Sequence, residues 1–123
     1  DVEVIWVAAR DLPMVDVIPD AMQQVFLNLI LNALDAMPEG GQLQMRTVKT
    51  EAPLGVQIQL TDEGVGIPPE KLAHVFEPFY TTKKDSLGLG LFISRSIVQQ
   101  HGGYIEAQSR AGEGTTFIIW LPS

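Results

Sequence analysis

The chain contains no cysteine among its 123 residues. No disulfide framework, thiolate zinc site or cysteine nucleophile can be drawn from it, and a reducing, cytoplasmic setting is compatible with that composition. Basic residues are scarce: eight Lys and Arg stand against fifteen Asp and Glu, for a formal net charge of -7. A sequence-independent grip on nucleic acid needs clustered Lys and Arg, so no nucleic-acid partner is expected. No run of about 18 apolar residues occurs, and the opening DVEVIW lacks the basic start and apolar stretch of a signal peptide. The chain starts inside what reads as a strand and ends at Leu121-Pro122-Ser123, which suggests a module of something longer and leaves a membrane anchor elsewhere in the parent open.

Hydrophobic residues make up 46% of the chain, enough for one core, so a single domain over 1–123 is expected. Val2, Val4, Trp6 and Ala8 alternate as in a half-buried first strand. Over residues 19 to 37, Met22, Val25, Phe26, Leu29, Ile30, Ala33, Leu34 and Met37 recur at three- and four-residue steps, which predicts a helix on a core, with Pro19 in its first turn. Pro38-Glu39-Gly40-Gly41 ends it and opens a hairpin carrying Leu43 and Met45 on one strand and Val56, Ile58 and Leu60 on the next. A short helix is predicted from Pro68 to about residue 75, a polar loop over 77–87, and a second long helix over 88–100 with Gly102-Gly103 as its left-handed cap. A closing hairpin pairs 104–109 with 115–121 around Gly112 and Gly114. The expected fold class is α+β: a mostly antiparallel mixed sheet with helices packed on one face.

Four places carry residue types that call for chemistry. On the first long helix Gln24, Asn28, Asn32 and Asp35 fall within roughly 80° of one another, opposite most of the apolar positions. A solvated face is the ordinary account of such a stripe. Asn, however, is a poor helix former where Lys or Glu would be the usual filler, and a neutral amide oxygen can complete a Mg²⁺ shell built from phosphates and waters. Asp62 shares parity with Val56, Ile58 and Leu60, so its carboxylate is expected to point into the buried face, where a charge needs a partner. A purine amino group would be such a donor, and Gly64 and Gly66 would let the backbone approach a flat ring; an Asp-Gly turn explains the glycines alone equally well. Ser86-Leu87-Gly88-Leu89-Gly90-Leu91 runs into a helix start, where free N–H groups bind phosphate. Gly112-Glu113-Gly114-Thr115 fits a hairpin turn, and Lys83 and Lys84 could meet phosphates or simply aid solubility.

Taken in order, these segments resemble the boxes of bacterial sensor histidine kinases over essentially the whole chain. QQVFLNLILNALDAM is similar to the N box, DEGVGI to the first glycine box, FEPFYTTK to the F box, LGLGLFISRSIVQQHGG to the second glycine box and GEGTTF to the third. The FYTTK pattern followed closely by the glycine box is most similar to kinases of the nitrogen-regulator type. The resemblance implies a Bergerat-type nucleotide-binding fold taking ATP and Mg²⁺. By position it makes Asn32 the Mg²⁺ ligand, places Asn28 near the phosphates, and counts both as the catalytic pair. Asp62 would read the adenine, Gly64, Gly66 and Ile67 border the base, and Thr115 join the base network through water. Gly88, Leu89, Gly90 and Leu91 would lie along the phosphates, with Asp35 and Lys83 nearby, and Phe76 and Phe79 would position the lid up to Gly88.

Three departures from the family pattern stand out. Ser86-Leu87 replaces a common Gly-Thr before the glycine box, Ile18 stands where an Asp often caps the N-box helix, and no segment resembles the helical dimerisation and phosphoacceptor region. The implied function is transfer of the ATP γ-phosphoryl to a histidine on that separate helical domain, and then to a response regulator, in two-component signalling. The isolated domain is expected to be a monomer that does not label itself. Three other functions share the fold or the contacts: a clamp-type ATPase, in which a Glu would occupy the place of Asn28; an anti-sigma-type protein-serine kinase; and a nucleotide-sensing module that transfers nothing.

Overall fold

The computed structural model describes residues 2–80 and 88–123. Its elements run β1 (Val2–Ala8), α1 (Pro19–Ala36), β2 (Gly41–Glu51), β3 (Leu54–Asp62), α2 (Pro69–Leu72), α3 (Gly90–Gln100), β4 (Tyr104–Ser109) and β5 (Thr115–Pro122). The five strands form one sheet in the order β1-β2-β3-β5-β4, antiparallel throughout except for the parallel pairing of β1 with β2.

The core lies between one face of this sheet and the two long helices. Strand alternation puts Leu43 and Met45 of β2, Val56, Ile58 and Leu60 of β3, and Phe117, Ile119 and Leu121 of β5 on that face. Against them α1 lays Met22, Val25, Leu29 and Ala33, and α3 lays Val98. The expected period of α1 is thus realised, except that Leu34 turns out to the surface. Burial of this stripe, rather than intrinsic propensity, holds the helix. At the end of α3, Gly102 takes a positive φ of 80°, and the amides of Gly102 and Gly103 donate to Gln99 O and Val98 O, which is the left-handed termination expected from the two glycines.

Two boundaries differ from expectation. The short helix stops at Leu72 and continues as turns, and α3 begins at Gly90 because Gly88 adopts a positive φ of 71°. The first strand also differs in burial. Val4 and Trp6 pair with Leu43 and Met45 and so share the core-facing side, yet they are 58% and 56% exposed. The reason is position: β1 is an edge strand on the far side of β2, and α1 covers the centre of the sheet. No helix among the described residues is long and apolar enough to cross a membrane.

Candidate functional site

Asp62, the last residue of β3, is 4% exposed. Its Oδ1 accepts the backbone N–H of Gly64 at 2.8 Å, an Asx turn, and that of Thr115 on the paired strand at 3.2 Å. Burial raises the carboxyl above its usual pKa; the Gly64 and Thr115 amides offset part of that shift. Both bonds fall on the same oxygen, and no described residue bonds Oδ2. The inward carboxylate expected from strand parity is therefore observed, with two backbone donors the sequence could not reveal.

Gly64 and Gly66 have a structural role in addition to the expected approach to a flat ring. A Cβ on Gly64 would lie 2.4 Å from Ala36 O, and one on Gly66, at φ +73°, 1.9 Å from Arg110 O. Both glycines seat the 62–67 loop against the protein itself, one on the C-terminus of α1 and the other on the β4–β5 turn. Val65 N donates to Ala36 O at 3.0 Å and Gly112 N to Val65 O at 2.6 Å, fixing the loop from both sides. A Cβ on Gly114 would likewise meet Asp62 O at 2.2 Å.

Ser109, which sequence reasoning passed over, ties the loop to the hairpin. Its Oγ accepts Ile67 N–H at 2.7 Å, donates to Gly114 O at 2.7 Å, and lies 2.8 Å from Thr115 Oγ1. The signal was present: Ser109 follows Ile105 and Ala107 on the inward parity of β4, where a polar residue needs a partner. Ile67 thus meets the site with its amide already engaged.

On α1 the polar stripe divides. Gln24 and Asp35 are exposed, as a solvated face would be, whereas Asn28 and Asn32 are half-buried. The Asn28 amide donates to Gly90 O at 3.1 Å and Ser94 Oγ at 3.2 Å, and the buried Ser94 hydroxyl donates to Gly90 O at 2.8 Å. Asn28 and Ser94 thereby hold the first turn of α3 against α1. Among the described residues that turn has no capping side chain and no acidic residue, so no fixed negative charge meets the positive end of the helix. Leu91 packs on the core through its side chain, and Leu89 is the residue before the helix. A Cβ on Gly90 would meet only the Asn28 side chain, at an ordinary 3.7 Å.

Phe79 N donates to Gly88 O at 2.9 Å, joining the two ends that flank residues 81–87. Phe79 holds a φ of 66°, unusual for a bulky residue, and is 72% exposed. Phe76 is anchored, edge-on to Phe117 and under the Arg95 guanidinium at 5.8 Å. Lys83, Lys84, Ser86 and Leu87 lie outside the described residues. A cavity of about 490 Å³ beside the hairpin is lined by Leu72, Ser109, Gly114 and Thr115 but by none of Asn28, Asn32 and Asp62, so it borders this constellation without containing it.

Residues 17–123 match the family of histidine kinase-, DNA gyrase B- and HSP90-like ATPases. The chain is 40% identical over 122 residues, 99% of its own length, to the sensor histidine kinase ZraS of Escherichia coli strain K12, of which it covers 26%. It is 43% identical over 112 residues, 91% of its length, to sporulation kinase E of Bacillus subtilis strain 168, covering 15% of that protein. The chain thus spans about a quarter or less of these relatives. Among solved structures, the catalytic domain of the histidine kinase ThkA superposes with a TM-score of 0.85 at 30% identity, over 98% of this chain and 78% of that one. Full-length ShkA in complex with AMPPNP gives the same score at 26% identity, over 98% of this chain and 25% of that one. The chain belongs to the histidine kinase-, DNA gyrase B- and HSP90-like ATPase family, as a catalytic ATP-binding domain of the histidine kinase kind.

Proposed function

We propose that this domain binds Mg-ATP and presents the γ-phosphoryl group to a histidine on a separate helical dimerisation domain, from which the phosphoryl passes to a response regulator. The observation that carries the reading is Asp62: a buried carboxylate, held by two amides on one oxygen, that keeps the other for the amino group of a base. From there the nucleotide would run toward the start of α3, where the backbone along Gly88, Leu89, Gly90 and Leu91 would meet the phosphates. Family resemblance and the AMPPNP bound to ShkA support the same nucleotide.

The metal fits only as a companion of the phosphates. No group of three His, Cys, Asp or Glu that could hold a cation by itself exists among the described residues. Half-buried Asn32, one helical turn beyond Asn28 on the flank of α1 that meets α3, would supply a neutral oxygen to an ion whose other ligands are phosphates and waters. Bound there, Mg²⁺ would neutralise the charge that gathers on the transferring group. The protein's own part is positioning: Asp62 fixes the base, the α3 amides fix the phosphates, and Asn28 keeps those amides aimed by bonding Gly90 O. Asn28 has no proton-accepting nitrogen and its N–H groups are engaged, so nothing at that place activates water as a clamp ATPase would require. The supply of ATP puts such a domain on the cytoplasmic side of any parent.

Calorimetric titration with ATP and GTP, with and without Mg²⁺, tests the reading. ATP should bind, GTP should bind poorly, and Asn32→Ala should remove the Mg²⁺-dependent gain while the helix survives, since Ala is the better helix former. Equal affinity for the two nucleotides, or full Mg²⁺ enhancement in the folded Asn32→Ala protein, would sink it.

A further inference from the structure

One hydroxyl network decides which way a proton points at the base site. Ser109 has a single proton, and Gly114 O, a carbonyl 2.7 Å from Ser109 Oγ, can only accept it. Ile67 N at 2.7 Å can only donate to Ser109 Oγ. The remaining contact, 2.8 Å between Ser109 Oγ and Thr115 Oγ1, is therefore made with the Thr115 proton. That leaves Thr115 Oγ1 with lone pairs and no hydrogen to offer. Thr115 stands in register with both Asp62 and Ser109 across the three strands, and its amide is the one that binds Asp62 Oδ1. It is 5% exposed, so a hydroxyl free to turn would otherwise act as donor or acceptor at will.

We propose that Ser109 sets the hydrogen-bond polarity of the base site: by taking the Thr115 proton, it makes Thr115 Oγ1 and Asp62 Oδ2 a pair of acceptors that selects an amino-bearing base edge and rejects a keto edge. The inference rests on the nucleotide reading above and assigns Ser109 as a positioning residue acting through Thr115. Asp62 alone favours an amino group by charge. Without Ser109, however, Thr115 would be free to donate to a keto oxygen, directly or through one water, and so soften the discrimination.

The test is the ratio of ATP to ITP affinity, since these nucleotides differ only where adenine carries an amino group and hypoxanthine a keto group with a protonated neighbour. Binding of ATP by the unmodified chain is measured first, and its absence would overturn the nucleotide reading itself. Given that binding, Ser109→Ala should lower the ATP to ITP ratio by about five- to tenfold, the effect of one hydrogen bond changing sign, and Ser109→Thr should restore it. A purely structural role would weaken both nucleotides alike and leave the ratio unchanged, which would overturn the inference. Thr115→Val keeps the bonds from Ser109 to Ile67 and Gly114 and so spares the fold should Ser109→Ala fail to fold. It should lower the ratio too, and adding Ser109→Ala to it should change the ratio no further. A Thr115→Val protein with the unmodified ratio would show that the hydroxyl does not face the base.

Discussion

The imidazole of His101, at the end of α3, accepts the backbone N–H of Ile18, at the start of α1, with Nε2 at 3.0 Å. Its Nδ1 lies 2.7 Å from Ile97 O, a carbonyl, so Nδ1 carries the proton and Nε2 the lone pair. Ile18 is the N-cap residue of α1 and offers no capping side chain. The ring, 83 residues further along the chain, satisfies the N–H of the N-cap residue itself, whereas an Asp in the place of Ile18 would accept amides of the first helical turn.

His101→Ala should accordingly lower stability by about 1 kcal/mol, the ordinary net worth of one hydrogen bond, read as a shift of the urea midpoint with unchanged slope. Ile18 is 63% exposed, so Ile18→Asp should be tolerated and, by accepting first-turn amides instead, should offset part of that loss in the His101→Ala background. A His101→Ala protein as stable as the unmodified chain would show that the bond to Ile18 N contributes nothing to stability.

Asp62 carries a conflict between folding and binding. Burial raises its carboxyl above the usual value, with the Gly64 and Thr115 amides offsetting part of the shift. A carboxyl whose folded pKa is raised binds more protons folded than unfolded, so its contribution to stability falls as pH rises from the usual carboxylate value through the raised one. Asp62→Asn keeps the oxygen that accepts both amides and drops the buried charge. In the free protein the variant should gain on the unmodified chain between pH 4.5 and 7.5, by urea midpoints at each pH, while losing tenfold or more in ATP affinity. A variant less stable by the same margin at both pH values would show that the charge is not what burial penalises.

The glycines separate structure from ligand contact. Gly66→Ala puts a Cβ against Arg110 O at a positive φ, and the backbone strain alone should cost about 1–3 kcal/mol. Gly90→Ala meets only ordinary contact with Asn28 and sits at the start of a helix, so the free protein should be as stable as before or slightly more so. Its ATP affinity should nevertheless fall, because a methyl group then stands where the phosphates approach the amides. Thermal melts with and without ATP distinguish the two variants, and a Gly90→Ala protein with unchanged ATP affinity would remove Gly90 from the phosphate path.

These cases mark what the sequence reveals and what it hides. Periodicity finds α1 because its buried face recurs every three or four residues along one segment, and parity finds the inward Asp62 because one strand carries both it and Leu60. Ser109 is half-visible: its parity on β4 is legible, but its partners Ile67 and Thr115 come from other segments. The close packing of Gly64 and Gly66 lies with Ala36 and Arg110, the partner of the Ile18 amide is His101, and the exposure of Trp6 follows from the edge position of β1. Each depends on which segments the fold brings together, and no local pattern encodes that.

The chain has two histidines, His74 and His101. Transfer from ATP requires an imidazole nitrogen free to attack in line with the leaving oxygen. Both nitrogens of His101 are engaged, with Ile97 O and Ile18 N, at the C-terminal end of α3, whereas the amides assigned to phosphate are at its other end. His74 pairs through Nδ1 with the Glu77 carboxylate and lies against the Tyr80 ring, which ties it to the turns after α2. His101 could not offer a nitrogen without giving up its contacts, and His74 is held beside Glu77 and Tyr80. Incubated with γ-labelled ATP and Mg²⁺, the chain should bind nucleotide but acquire no acid-labile label and release little phosphate. Labelling should appear on the added partner when a matching helical dimerisation domain is supplied. Label on His74 or His101 would put the phosphoacceptor within this domain, and rapid phosphate release would point back to a clamp-type ATPase despite Asn28.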